Sequence, residues 1–381
     1  MNHITRKLGI IGDGQLGRML AQAANPLGII CAAINPSDGM VRCPLTGREL
    51  GHGVRTLISE SELLTFESEH IPLVMAEQLM HELPLAPSTR SLVAMGDRLG
   101  ERALLGRHNI PCAAWRECHC ADDVRLAEET LGYPLYLKRS HGGYDGRGQW
   151  RLTAPGELPA DLLEAMAHGV TILAEAHVPF VRELSILAAR GREGQMVFYP
   201  LVENSHHDGI LHVTIAPAPG AEHWQQTAND WIRAVAEDLD HVGMLAIELF
   251  DTGSALLVNE LAPRVHNSGH WSQRGASHSQ FENHVRAVCG LPLQPPQVNG
   301  ITVMLNVIGE QPVPALAHAP GVQYYWYCKA PRAARKLGHI NLHGHDYASL
   351  LAQVEALKPL AGPTLTTTLA IAGQRLTTLS R

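Results

Sequence analysis

Apolar runs short enough for strands alternate with helical stretches through the first ~90 residues. Leu8–Ile11 leads into the turn Gly12-Asp13-Gly14-Gln15-Leu16-Gly17. Arg18–Ala24 then starts a helix, and Ile29–Ile34 is a second strand stopped by Asn35-Pro36. Leu63–Phe66 is a third strand-like run, ending in the acids Glu67 and Glu69. The order predicts an α/β unit that closes at Pro84–Pro87.

The pattern continues with a helix over Asp97–Arg107. Strands follow at Tyr136–Lys138, Trp150–Leu152, Thr171–Glu175, Glu183–Ala189 and Met196–Pro200, then a helix at Trp231–Leu239. From Pro292 the chain is proline-rich. Thr302–Ile308, Val322–Tyr327, Gly338–Leu342 and a final helix, Tyr347–Ala356, then predict a small β-rich unit. No long internal repeat or low-complexity tract interrupts this order.

Two apolar runs break the pattern in an informative way. Gly243–Phe250 (GMLAIELF) and Leu256–Ser272 (LLVNELAPRVHNSGHWS) each carry an acid, Glu248 and Glu260, inside a strand-like stretch. An acid there is costly to bury unless a cation or hydrogen bonds compensate. The short turn Asp251-Thr252-Gly253-Ser254 makes the two runs a hairpin, which brings the carboxylates together on one face. With Asn259 beside them they are oxygen ligands suited to Mg²⁺ shared with substrate phosphates. Arg264-Val265-His266-Asn267-Ser268 follows at once and suits an anionic substrate.

Glycine clusters mark two further places. Gly12, Gly14 and Gly17 fit G-x-G-x-x-G between strand and helix, the dinucleotide fingerprint, but Asn35-Pro36 stands where a ribose-binding acid belongs. The turn still offers amides at a helix N-terminus to an anion. The loop Ser140–Gln149 carries Gly142, Gly143, Gly146 and Gly148 between Lys138 and Arg147, which reads as a lid over nucleotide phosphates or as a glycine-rich hairpin. It is not a P-loop. His206-His207 can touch phosphate or occupy a turn, and Arg332, Arg335 and Lys336 can grip a phosphate or lie on a solvated face. His266 and His270 stand in a polar loop, against a helix-borne zinc pair.

Composition narrows the class. The 381 residues allow two or three domains, and 45% hydrophobic with 18% charged content fits a soluble globular protein. A net charge of −7 argues against nonspecific nucleic-acid binding. No apolar run approaches the roughly 18 residues of a membrane span, and the N-terminus has no signal-peptide pattern. Seven scattered cysteines read as reduced thiols in a cytoplasm, with Cys118-His119-Cys120 as loop residues.

Together, GDGQLGRML, KRSHGGYDGRGQW, YPLVENSHHDGIL and NELAPRVHNSGHWSQRGASHSQFENHVRAV resemble 5-(carboxyamino)imidazole ribonucleotide synthetase, an ATP-grasp ligase of purine biosynthesis. The resemblance runs from Leu8 to about Leu342. It implies an α/β class with an α+β ATP-grasp body. The expected parts are a Rossmann-like pre-ATP-grasp domain (1–95), a lid (96–180), a core with the metal site (181–295) and a small C-terminal β-rich unit (296–381). It implies ATP and Mg²⁺ or Mn²⁺ as cofactors, bicarbonate and 5-aminoimidazole ribonucleotide as substrates, carboxyphosphate as intermediate, and a homodimer.

By the same resemblance, Arg98, Lys138 and Gly143, Tyr144, Asp145, Gly146, Arg147, Gly148 and Gln149 hold ATP phosphates. Glu175, Ala176, His177 and Val178 line adenine, Glu183 takes the ribose, and His206 touches the nucleotide. Glu248 and Glu260, beside Asn259, hold metal. Tyr144, Asp145, Arg147, Arg264, His266 and Asn267 surround bicarbonate and the imidazole, with His266 positioning the substrate or removing a proton. Gln15, Leu16, Arg335 and Lys336 lie near the ribotide. The motif TFESEH leaves open which of Glu67 and Glu69 faces the site. Two rival readings are another ATP-grasp ligase, such as a formate-dependent glycinamide ribonucleotide transformylase, and an NAD-dependent oxidoreductase resting on Gly12–Gly17.

Overall fold

The computed structural model describes residues 6–142, 148–309 and 314–381. The N-terminal unit contains β1 (Lys7–Ile11), β2 (Ile30–Ile34), β3 (Met40–Arg42), β4 (Glu49–His52) and β5 (Leu63–Phe66), in the order β4-β3-β2-β1-β5. β1 pairs in parallel with both β2 and β5, so the ends of β1 and β5 deliver Gly12 and Glu67 to the same edge. The helix after the turn begins at Gln15, earlier than its apolar pattern, and places Gln15 and Leu16 in its first turn.

A second layer is the antiparallel sheet β6-β9-β7-β8, from β6 (Trp115–Cys118), β7 (Leu135–Arg139), β8 (Gln149–Leu152) and β9 (Ile172–Ala176). One expectation fails here. Cys118 is not a loop residue but the buried end of β6; only His119 and Cys120 form the turn, with Asp123 accepting hydrogen bonds from both backbone amides.

The largest sheet has nine strands. They are β10 (Arg182–Arg190), β11 (Met196–Phe198), β12 (Val202–His207), β13 (Ile210–Ala216), β14 (Gly243–Asp251), β15 (Leu256–Ala262), β16 (Ile301–Ile308), β17 (Val322–Trp326) and β18 (Lys336–Gly344). The path is β15-β14-β10-β12-β13-β16-β18-β17, with β11 paired to β10. The centre is apolar on both faces because each face has a helix. Leu187, Ala189, Met244 and Ala246 pack with Phe281, Val285 and Val288 of the helix Gln280–Cys289. The alternate residues Leu184, Ile186, Ala188, Leu245 and Ile247 pack with Ala228, Ile232 and Val235 of the helix Gln225–Asp238.

That alternation places the acids. Glu248 shares the parity of Met244 and Ala246, Glu260 that of Ala262, and Glu183 that of Leu187, so all three side chains leave the sheet on one face.

The C-terminal stretch has the three strands read from its sequence, and one helix more than expected. Its strands continue the large sheet through the β13–β16 pairing, and the chain ends in two helices, Tyr347–Leu357 and Pro363–Leu379. Threonines lower the helix propensity of the second and hide it. Its stripe of Leu365, Leu369, Ala372 and Leu376 is buried and carries the helix.

Candidate active site

A cleft of about 850 Å³ lies between the three sheets, walled by residues from every part of the chain. At its centre the hairpin does what its pattern predicts. Glu248 and Glu260 are direct cross-strand partners, and Asn259 Nδ2 donates to Glu248 Oε2 at 3.3 Å. A register shift next to Glu248 lets Asn259 and Glu260 both reach that face. Burial raises the pKa of Glu248, with the negative charges of Glu260 and Glu183 adding to it against the pull of His206. A pair of like charges so placed calls for a cation.

The end expected to take the nucleotide is built from ion pairs. The helix Arg98–Arg107, capped by Asp97, directs Arg98 and Arg102 inward. Arg98 Nη1 donates to Glu260 Oε2 at 3.0 Å. Arg102 donates through Nε and Nη2 to Glu175 Oε1, at 2.9 and 2.5 Å, and Lys138 Nζ meets Glu175 Oε2 at 2.5 Å. Burial works to raise the Glu175 carboxyl, but Lys138 and Arg102 outweigh it and hold it at about 2. Glu175, grouped by sequence with the adenine strand, thus has a side chain committed to fixing Lys138. Gln149 faces Lys138 across β7–β8 and also lines the cleft, while Gly148 turns into β8 with φ +69. Gly143, Tyr144, Asp145, Gly146 and Arg147 lie outside the described residues.

Ala176, His177 and Val178 line the same end, joined by Phe180 stacked on Phe250 at 4.7 Å. Glu183 Oε2 is 2.7 Å from His206 Nδ1. Burial lowers the His206 pKa, but the bond to Glu183 and the charge of Glu248 reverse this and raise it.

The end expected to take the acceptor is different in kind. Arg264 forms a two-point ion pair with Glu69, through Nε and Nη2; burial opposes ionisation of Glu69, and Arg264 overrides it to hold the carboxyl at about 2. His266 caps the short 3₁₀ turn Asn267–Gly269, with Nδ1 accepting from the Ser268 amide, and its Nε2 lies 3.4 Å from Glu248 Oε1. Burial, then the charges of Arg264 and Lys336, push its pKa well below the ordinary histidine value. The ring is therefore neutral with its hydrogen on Nε2, set as a donor. Both side-chain polar atoms of Asn267 are buried without a hydrogen-bond partner among the described residues.

The question left open by TFESEH has a divided answer, since both acids line the cleft. Glu69 holds Arg264. Glu67 fills the glycine turn, accepting from Gly14 N and Gly17 N at 2.7 Å each. A Cβ on Gly12 would stand 2.3 Å from Glu67 Cγ. Those glycines make room for the chain's own carboxylate, which explains a dinucleotide-like fingerprint without the ribose acid.

Gln15, Leu16, Arg335 and Lys336 also line the cleft. Lys329, which the sequence reading missed, lines it too and bonds Gln15 Oε1. It sits three residues before the basic cluster counted from Arg332. Arg102 was missed because its partner, Glu175, lies 73 residues away.

Clustered cations and paired carboxylates in one cleft between the sheets fit an ATP-grasp enzyme, and the ATP-grasp domain family matches residues 103–281. The ribonucleotide synthetase preATP-grasp domain matches residues 5–95, and the phosphoribosylaminoimidazole carboxylase C-terminal domain matches 302–353. The N5-carboxyaminoimidazole ribonucleotide synthase of Vibrio parahaemolyticus is 42% identical over 365 residues, covering 93% of this chain and 96% of that protein. The Escherichia coli protein of that name is 38% identical over 358 residues, covering 94% and 96%. Among solved structures, the synthetase from Thermus thermophilus superimposes with a TM-score of 0.84 at 40% identity, covering 93% of this chain and 98% of that one. The Aspergillus clavatus enzyme in complex with ADP and 5-aminoimidazole ribonucleotide gives 0.82 at 26%, covering 96% and 99%. The chain belongs to the N5-carboxyaminoimidazole ribonucleotide synthase family.

Proposed function

We infer that this chain carboxylates 5-aminoimidazole ribonucleotide with bicarbonate, consuming ATP and releasing N5-carboxyaminoimidazole ribonucleotide, ADP and phosphate in purine biosynthesis. The observation that carries the reading is the Glu248–Glu260 pair at the centre of one cleft, with paired cations on one side and Arg264, His266 and Asn267 on the other.

ATP binds with its base near Val178 and the Phe180–Phe250 stack, its ribose at Glu183, and its phosphates at Lys138, Arg98, Gly148 and Gln149. The metal site fits Mg²⁺. No group of three or more His, Cys, Asp or Glu side chains suited to a metal occurs among the described residues. Two protein carboxylates are what a hard cation shared with phosphates needs, and the unpartnered Asn267 amide lines the same cleft. Glu248 and Glu260 would hold the ion, which neutralises phosphate charge as the phosphoryl group moves.

Arg264 and Asn267 bind bicarbonate, whose oxygen takes the γ-phosphoryl group to form carboxyphosphate and ADP. The exocyclic amine of the ribotide then attacks the carboxyl carbon, or CO₂ released from it, and phosphate leaves. His266 orients the reacting groups, and exclusion of water from the cleft during the reaction protects the intermediate. Lys329, Arg335 and Lys336 lie where the ribotide phosphate would sit, near Gln15 and Leu16. The enzyme is a cytoplasmic homodimer in this reading, which light scattering tests; no helix among the described residues is long and apolar enough to cross a membrane.

The functional test is phosphate release with ATP, bicarbonate and 5-aminoimidazole ribonucleotide, each omitted in turn. Full activity needs all three. Equal release with glycinamide ribonucleotide and formate would point to the rival ligase.

A further inference from the structure

His270 lines the acceptor end of the cleft, and none of the roles above uses it. Its ring is clamped between two others, His339 at 4.7 Å and Phe281 at 5.4 Å. Its Nδ1 lies 3.0 Å from Nε2 of the fully buried Gln280. The far end of Gln280 decides which atom carries the hydrogen. The His266 backbone N–H can only donate, and it meets Gln280 Oε1 at 2.9 Å; the His266 carbonyl can only accept, and it meets Gln280 Nε2 at 2.7 Å. Exchanging the amide's oxygen and nitrogen would break both bonds, so its orientation is fixed.

Gln280 Nε2 has two hydrogens. One goes to the His266 carbonyl, and the other goes to His270 Nδ1. That nitrogen is therefore an acceptor, and the neutral ring bears its hydrogen on Nε2. Burial, then Lys336 and Arg264, keep the ring neutral, with a pKa of about 3. Among the described residues, Nε2 has no protein acceptor.

We propose that His270 binds the imidazole substrate, its tautomer-locked Nε2–H donating to the unsubstituted, unprotonated ring nitrogen of 5-aminoimidazole ribonucleotide. The proposal rests on the function inferred above. Arg264 and Lys336 already serve anionic oxygens at this end, whereas a neutral donor suits a neutral acceptor. A ring-protonated substrate offers no lone pair there, so the contact selects the neutral imidazole, the form with the more nucleophilic exocyclic amine.

Two measurements test it. In ¹⁵N-histidine-labelled wild-type protein, long-range ¹H–¹⁵N spectra should show His270 as the Nε2–H tautomer, with the signal assigned by its loss in His270→Gln. In steady-state kinetics, His270→Asn places an amide near the Nδ1 position and loses the outer donor, whereas His270→Gln places one near Nε2 and keeps it. The Asn variant should raise the KM for the ribotide about tenfold, the effect of losing one hydrogen bond. The Gln variant should stay close to wild type, and the KM for ATP should hold in both. An Nδ1–H tautomer overturns the proposal. So does an equal ribotide KM in the two variants, or a joint collapse that includes ATP binding. Wild-type protein that ignores the ribotide would overturn the assigned reaction instead, leaving the tautomer result in place.

Discussion

The two ends of the cleft solve opposite problems. At the nucleotide end the cations are already paired, Lys138 and Arg102 with Glu175 and Arg98 with Glu260. Around His266 and His270 the paired cation Arg264, held by Glu69, stands beside two imidazoles held by Ser268 and Gln280. A site for a polyphosphate must keep cations in place before the ligand arrives, and a buried cation without a counter-charge is costly. A site for an uncharged imidazole needs directional donors that do not titrate. One end is set by paired charge alone, and the other adds groups whose hydrogen direction is fixed.

The contrast breaks most severely at Arg102, whose side chain is almost wholly buried. Arg102→Leu leaves Glu175 with Lys138 alone and removes the cation beside the buried Glu101. A loss of about 3–5 kcal/mol is expected, read from urea unfolding. Wild-type stability would show that the ion-pair ladder is not structural.

Glu248→Gln should lower turnover about 10²–10³-fold, the scale of losing one preorganised electrostatic group, with the circular dichroism spectrum unchanged. Near-normal turnover at saturating Mg²⁺ would remove Glu248 from the metal site. Across the cleft, His266→Asn should cut carboxylated product about tenfold, as expected for one lost hydrogen bond. ATP affinity by calorimetry should not move; a fall in that affinity would show that the two ends are not separable.

The smallest effect is acid sensitivity, which separates buried neutral histidines from ion-paired carboxylates. The buried, neutral His270 and His284 have pKa values lowered to about 3, and His241 to about 4, by burial first. The unfolded chain takes up protons below about 6.5 while these rings do not, so stability falls as pH drops from there. Glu69 and Glu175, held at about 2, contribute stability above about 4.5 that is lost only as pH falls toward 2. Urea midpoints should therefore start to fall between about pH 6.5 and 5, with a second decline below about 4.5. A flat profile down to about pH 5 would contradict the neutrality of these buried histidines.

What the sequence disclosed follows the same division. The hairpin acids were legible because an acid inside an apolar run is a local anomaly, and strand alternation fixes its face. Glu175 was placed correctly at the cleft, but its partner was not, since an ion pair across 73 residues leaves no local trace. His270 was noticed only as a poor zinc pair with His266, and its meaning depends on Gln280, ten residues further on another element. The glycine turn pointed to an anion; that the anion is Glu67 depends on β1 and β5 lying side by side. The last helix stayed hidden because threonines mask a stripe of leucines and an alanine whose partners lie on distant strands.

The pairing of β13 with β16 also governs how far the chain can be shortened. Every residue of β13 is buried, and the bonds from Val213 to Ala216 are met by Thr302 to Leu305. A chain cut just before β16 would keep all the nucleotide-binding residues yet present β13 as an uncapped apolar edge, ready to pair with another molecule. The C-terminal segment thus covers the β13 edge against stray strand pairing as well as walling the cleft, and it cannot be trimmed away as an accessory.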